Sequence, residues 1–516
     1  MLALVDELHA LEQRAADASA RAAASFARRG ALLPRERLAR LLDPGRPFLP
    51  IATLAGYGLD DHNPATCVPG GSQLAGIGFI SGVRCMVMVN DSGIDAGALT
   101  EGGNLKIMRC QDIALENKLP FVHLVESAGA NLRKYRVDKF VRGGGMFYNL
   151  ARLSAAGLPV VTVVHGSSTA GGAYMPGLSD YVVMVRGRAK AFLAGPPLLK
   201  AATGEIATDE ELGGTDMHAT TSGLAEYVAE DDAHAIAIAR DILANLGWDK
   251  PVDAAHAAPP RLAPDELAGV MVLEHKKPID MREVIARVAD DSCWMDFKSD
   301  YGPATVCGHA CIEGHPVGFI SNNGPIDPAG ATKAAQFIQL CNQSGTPIVY
   351  LQNTTGFIVG RHSEEAGMIK HGSKMIQALS NSRVPQVTIH CGASFGAGNY
   401  GMCGRAFHPR FCFSWPNART AVMGGEQAAA TMEIVARQQA ERKGAPVDEA
   451  RLAAQKSEIV ANFERQAGAF HTSGHLLDDG VIDPRDTRAV LAFVLATARE
   501  ADQRAVRPVQ FGVARF

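Results

Sequence analysis

The chain carries the same glycine-rich device twice, and no other feature limits its folding options as strongly. One copy runs Gly157-Leu-Pro-Val-Val-Thr-Val-Val-His-Gly-Ser-Ser-Thr-Ala-Gly-Gly-Ala-Tyr174, the other Arg383-Val-Pro-Gln-Val-Thr-Ile-His-Cys-Gly-Ala-Ser-Phe-Gly-Ala-Gly-Asn-Tyr400. Pro159 answers to Pro385, Gly166 to Gly392, and Gly171-Gly172 to Ala397-Gly398, all at an offset of 226 residues. Each copy reads as a β-branched strand, a turn of tiny residues and the start of a helix. Such a junction leaves the first helical N–H groups without intrahelical acceptors. It can hold a developing oxyanion with no catalytic side chain. Two junctions in one chain suit a reaction with two oxyanions.

The repeat reaches well beyond these turns. Lys106–Pro120 matches Lys333–Pro347 as a helix ending before a proline, and the strands Phe121–Gly129 and Ile348–Gly356 follow in each half. Ile94-Asp-Ala-Gly-Ala98 resembles Ile326-Asp-Pro-Ala-Gly-Ala331 just upstream. The entry helices Arg35–Arg40 and Arg282–Arg287 correspond at an offset of 247, so the first half holds about twenty extra residues. The Pro- and Gly-rich stretch Asp60–Gln73 is the expected insertion. One ancestral domain, duplicated, accounts for this pattern, with halves at 1–255 and 256–516 joined through the proline-rich Gly247–Pro264. Strands alternating with helices in each half imply βαβ units. Glu426–Phe470, rich in Ala, Glu, Gln and Arg, has no first-half counterpart and predicts a helical arm.

At 516 residues the chain is too long for one ordinary core. A net charge of −4 gives no electrostatic case for nucleic acid or an acidic membrane surface. No apolar run of about 18 residues is present to span a bilayer. Residues 1–30, with Asp6, Glu7, Glu12 and Asp17, read as an amphipathic helix rather than a signal or transit peptide. The ten cysteines form no CxxC pair, which points to buried free thiols and no metal site. Neither glycine turn reads as a nucleotide phosphate loop.

Six motifs, in the same order as in the family, carry a resemblance that runs from about Arg29 to Leu491. They are Thr169–Tyr174, Phe192–Pro197, Lys200–Glu205, Glu211–His218, Gly396–Gly404 and Asp478–Pro484. Together they resemble the carboxyltransferase (β) subunit of biotin-dependent acyl-CoA carboxylases. Asn399–Gly404 and Trp415–Arg419 resemble the methylcrotonyl-CoA and geranyl-CoA carboxylase branch most. The resemblance implies an α/β fold of two tandem crotonase-like domains of the ClpP/crotonase superfamily, the first on the acyl-CoA side and the second on the biotin side. It implies that carboxybiotin releases carbon dioxide, that the biotin nitrogen takes a proton from the acyl-CoA, and that two oxyanions result.

By match to the family motifs, Gly171 and Gly172 hold the thioester enolate, and Ala397 and Gly398 the biotin oxygen. The preceding loops add a second amide, from Ala96-Gly97 on the acyl side and Ala329-Gly330 on the biotin side. Tyr174 flanks the first turn; Gly396 and Tyr400 flank the second. Phe147 and Tyr148 fall where the family lines its acyl pocket. They favour a short branched acyl group, 3-methylcrotonyl-CoA, over geranyl-CoA. A propionyl- or acetyl-CoA carboxylase, and the carboxyltransferase of a biotin-dependent decarboxylase, are the alternatives. The chain has no Met-Lys-Met biotin attachment site and no glycine-rich ATP segment. It therefore needs an α subunit carrying biotin carboxylase and biotin. The resemblance further implies a dimer unit in which first-half and second-half sites of two copies face each other, built into a hexamer of an α6β6-type complex. The location it implies is bacterial cytoplasm, or the mitochondrial matrix in a eukaryote.

His165, His218 and His390 lie beside the motifs, but no Ser–His–Asp order is evident, so packed histidines are expected rather than a general base. Glu126 and Asp216 have the same status. Lys200, Arg142 and the Arg133–Arg136 cluster are candidates for the CoA phosphates, against the reading of solvated surface charge.

Overall fold

A computed structural model describes residues 1–129, 136–248, 257–273, 277, 279–443 and 446–508. The chain divides into two compact units. The N-terminal unit is His9–Asp253 with Gly474–Leu476 and Ala496–Phe516; the C-terminal unit is Ala254–Ser473 and Leu477–Leu495 with Met1–Leu8. The chain opens on helix α1 (Leu2–Ala20), as its amphipathic pattern predicts.

The sheet of the N-terminal unit contains β1 (Leu49–Pro50), β2 (Gln73–Ile80), β3 (Val83–Asn90), β4 (Phe121–Ser127), β5 (Val160–Thr169), β6 (Tyr181–Val185), β7 (Lys190–Phe192) and β8 (Tyr227–Ala229). Its order is β1-β2-β3-β4-β5-β6-β8, with β7 on β5. The first three strands are antiparallel and the rest parallel. The connecting helices include α2 (Pro34–Leu41), α3 (Glu101–Glu116), α4 (Gly145–Ala155) and α5 (Asp232–Asn245). β3 and β4 are buried along their whole length and read as near-continuous apolar runs, as strands covered on both faces do.

The C-terminal unit repeats the plan. It contains α6 (Arg282–Val288), β9 (Trp294–Asp296), β10 (Thr305–Ile312), β11 (His315–Asn322), α7 (Pro328–Ser344), β12 (Ile348–Thr354), α8 (Met368–Ser380), β13 (Gln386–Phe395), α9 (Gly396–Gly401), β14 (Phe411–Ser414) and β15 (Arg419–Ala421). Its sheet order is β14-β13-β12-β11-β10-β9, with β15 on β13. The two units are the duplicated crotonase-like domains that the sequence predicts. The expected helical arm is α10 (Gly425–Lys443) and α11 (Glu449–Ala467), cross-linked by Arg437 to Glu449 and by Lys456 to Glu433.

Hydrogen bonds set the register of the repeat and correct one pairing. The Leu99 N–H donates to the Gly129 carbonyl, and the Ile326 N–H to that of Gly356. Thr100 caps α3 through the Gly103 N–H, and Asp327 caps α7 through that of Gly330. A Cβ on Gly71 would lie 2.6 Å from Gly103 N, and one on Gly302 2.6 Å from Gly330 N. Ile326 therefore matches Leu99, not Ile94, and Ala329-Gly330 matches Gly102-Gly103. The extra first-half residues are correspondingly split: most precede β2, and about five lie in the Asp91–Ala98 loop, which has no counterpart.

Candidate active site

Each glycine device builds the predicted strand–turn–helix junction. β5 pairs β6 through Val161–Val164, then turns to β7 through Ser167–Thr169, with Gly166 between the two segments. β13 does the same around Gly392, from β14 to β15. Ala170 (φ +53°) and Gly396 (φ +55°) then turn the chain into a 3-10 segment at Ala170–Ala173 and into α9. Gly171 and Gly172, like Ala397 and Gly398, stand in the first turns of these segments, where backbone N–H groups have no acceptor one full α-helical turn back. Gly172 and Gly398 are buried, Gly171 is half-buried and Ala397 is exposed. The first turn is anchored by the Ser168 hydroxyl, which donates to the Gly172 carbonyl at 2.8 Å. The second hangs on a neutral chain in which Asn399 donates to Ser394, and Ser394 to Gln352.

The two predicted second amides are only partly available. Gly97 spends its N–H on Ile94 O at 2.9 Å, whereas the exposed Ala96 N–H donates to no described acceptor. Gly330 spends its N–H on the Asp327 carboxylate, leaving Ala329 at the second position of α7 with its amide unengaged. One amide of each pair thus remains to meet an oxyanion.

On the acyl side, the Phe147 ring lies 3.4 Å from where a Gly171 Cβ would be and meets Tyr174 edge-on at 5.7 Å. Tyr148 is 66% exposed, its ring beneath the Arg152 guanidinium. Tyr400 meets Phe407 at 5.9 Å beside the second turn. Lys200 and Arg142 are exposed, and Arg136 pairs with Asp138 at 2.8 Å. Arg133, Lys134 and Tyr135 lie outside the described residues.

The neighbouring titratable groups are structural. His165 and His390 lie four and five residues before the ends of their strands, roughly 13–17 Å up-strand of the turns. Burial lowers both to a pKa of about 4, so both rings are neutral. His165 Nδ1 meets Asp232 at 2.9 Å; His390 Nδ1 meets Ser414 at 3.0 Å, and Ser414 donates to Asp478. His218 is held by Ser222 and by the Ala191 carbonyl. Asp216 is a surface partner of Arg186. Glu126, by contrast, is buried between Arg37 and Arg29. Burial alone would raise its pKa, but the two guanidiniums outweigh it and hold the carboxylate ionised. Sequence reasoning named Glu126 and His165 as packed residues but missed Arg37 and Asp232, which join them. Among the described residues no group of three metal-ligating side chains forms, and all ten cysteines are free, with Cys293 and Cys311 exposed. No helix of the described residues is long and apolar enough to cross a membrane.

The carboxyl transferase domain family profile matches residues 26–510. The probable biotin-dependent acyl-coenzyme A carboxylase beta2 subunit of Mycobacterium tuberculosis is 49% identical, over 91% of this chain and 88% of its own. The mitochondrial methylcrotonoyl-CoA carboxylase beta chain of Dictyostelium discoideum is 45% identical, over 91% and 80%. The crystal structure of the geranyl-CoA carboxylase beta subunit of P. aeruginosa shares 52% identity and a TM-score of 0.93, covering 100% of this chain and 96% of that one. With a profile spanning both repeats and one fold shared end to end, the chain belongs to the carboxyl transferase domain family, as a carboxyltransferase β subunit of the acyl-CoA carboxylase type.

Proposed function

We propose that the chain moves a carboxyl group from biotin on a partner subunit to a branched enoyl-CoA, 3-methylcrotonyl-CoA. The observation that carries this reading is the pair of equivalent turns, one in each unit, each opening a helical segment with its first-turn amides. In the N-terminal unit, Gly171, Gly172 and Ala96 hold the thioester oxygen as it becomes an enolate. In the C-terminal unit, Ala397, Gly398 and Ala329 hold the ureido oxygen. Each such donor is worth roughly 3–4 kcal/mol of transition-state stabilisation. Bound carboxybiotin would supply the carbon dioxide, and the biotin nitrogen freed by its release would accept the acyl proton. The chain's part is to fix both oxygens and offer no competing base, which agrees with the neutral, remote histidines.

The Phe147–Tyr174 pair beside Gly171 narrows the acyl side and favours the shorter chain. Geranyl-CoA is the second reading, favoured by the 52% identity to a geranyl-CoA carboxylase β subunit. The working form on this proposal is a hexamer of dimer units with six α subunits, in bacterial cytoplasm or the mitochondrial matrix. The domain assignment, 1–255 acyl-CoA and 256–516 biotin, belongs to the same proposal. The test is carboxylation of 3-methylcrotonyl-, geranyl-, propionyl- and acetyl-CoA by the chain with its biotinylated α subunit. The highest kcat/KM is expected for 3-methylcrotonyl-CoA; preference for either unbranched substrate would overturn the assignment.

A further inference from the structure

We infer that Glu126 is a positioning residue for the acyl-side oxyanion turn, its side chain clamped behind β5 so that the end of β4 seats the Asp95–Gly97 turn. The inference rests on the reading of the N-terminal unit as the acyl-CoA side. That turn is strained: Asp95, Ala96 and Gly97 have φ of +47°, +52° and +68° in succession. L-residues adopt such a run only where the surroundings impose it. What imposes it is the end of β4. The Ala128 N–H donates to Ala96 O at 3.1 Å, and the Ser127 hydroxyl to Gly97 O at 2.8 Å. Gly97 is pressed so close that a Cβ there would lie 2.3 Å from Glu126 O.

The end of β4 is in turn placed by an irregularity opposite Glu126, where β5 carries two extra residues. Regular pairing with β5 runs to Val125–Val164 and resumes at Ser127–Ser168. Bulges of this kind re-aim a strand. The Glu126 side chain passes over Gly166, where a Cβ would lie 2.7 Å from its Cγ. It ends on Arg37 at 2.6 Å and Arg29 at 2.8 Å. Arg37, 1% exposed, is itself held by Asp232 at 3.1 Å, which also takes His165 and Arg188.

The duplication supplies an internal comparison. The C-terminal unit keeps the irregularity, opposite Asn353, and the glycine beneath it, at Gly392. Among the described residues the ion pair is gone: Asn353 stands where Glu126 would, Val284 where Arg37 would, and Cys391 where His165 would. It also lacks the strained turn, since α7 starts directly after Ile326 and Asp327. Among the described residues, the Glu126–Arg37 clamp and the left-handed turn thus occur together in one unit and are absent together from the other.

The test uses the assembled complex with the biotinylated α subunit and reads two reactions, carboxylation of acyl-CoA and decarboxylation of free carboxybiotin. Glu126→Gln keeps the shape and removes the charge. Its kcat for acyl-CoA carboxylation is expected to fall roughly tenfold to a hundredfold, as for a misplaced oxyanion donor. KM for acyl-CoA and the decarboxylation rate should stay within about twofold. If that variant does not assemble, Arg29→Gln removes only the half-exposed arm and should show the same pattern at about tenfold or less. A working wild type whose assembled variant loses both reactions in proportion, or neither, overturns the clamp alone. A wild-type complex that carboxylates no acyl-CoA overturns the functional reading and the clamp with it.

Discussion

Alanine at the two equivalent glycines should separate them. A Cβ on Gly172 would meet only the Ser168 hydroxyl, at 3.5 Å, which is ordinary contact. A Cβ on Gly398 would lie 2.8 Å from Gly356 Cα, 3.0 Å from Thr354 Cγ2 and 3.2 Å from Gly356 N. The Gly356 backbone cannot rotate away, because its carbonyl accepts the Ile326 N–H. Overpacking of this kind costs about 1–3 kcal/mol, against about 1 kcal/mol gained by replacing glycine within a helix. The net loss of stability is on the order of 1 kcal/mol. The larger effect is positional: relieving the contact moves the Gly398 amide by roughly half an ångström. A 1 Å misplacement costs about a hundredfold, so about tenfold is expected here. With the biotinylated α subunit present, Gly398→Ala should lower free carboxybiotin decarboxylation and acyl-CoA carboxylation together, about tenfold. Gly172→Ala should leave both within about threefold, whereas Gly172→Val should lower acyl-CoA carboxylation while sparing much of the decarboxylation. Equal losses in Gly172→Ala and Gly398→Ala, or an unaffected Gly398→Ala, would refute the reasoning.

The purified chain alone should fix no bicarbonate into any acyl-CoA with ATP, and adding the α subunit should restore fixation; activity of the isolated chain contradicts the partner assignment. His165→Gln should lower the melting temperature, since it disturbs the Asp232 cluster, yet reduce turnover of the folded complex by less than tenfold; a thousandfold loss at unchanged acyl-CoA affinity would put a side-chain base back into the mechanism. Acid should destabilise the fold. Burial holds His123 and His390 near pKa 4, so between there and about 6.5 the unfolded chain binds more protons and stability rises with pH, by about 3 kcal/mol per histidine. Asp478, raised to about 6 by burial, opposes part of this, because its native form is the better proton binder between 3.8 and 6. Urea midpoints should be lower at pH 5 than at pH 7, with the gap narrowed in His390→Gln; equal midpoints would show that these rings are charged or solvated in the native state.

The sequence by itself determined what is local. A β-branched run, a few tiny residues and a glycine make a strand–turn–helix junction wherever they occur, so both turns, the duplication and the arm at 425–467 were legible without coordinates. Short likeness could not settle register: Ile94–Ala98 looks like Ile326–Ala331, yet cross-strand hydrogen bonds put Leu99 opposite Gly129 and Ile326 opposite Gly356. Nor could it tell which amides stay open, because the acceptors that take Gly97 and Gly330 depend on turn and cap geometry. The charge cluster was the least legible part. Arg37 and Asp232 are 195 residues apart, and Glu126 and His165 look like ordinary strand residues. Only the packing of strand ends in the tertiary structure brings these groups together, and only burial there makes their pairing obligatory.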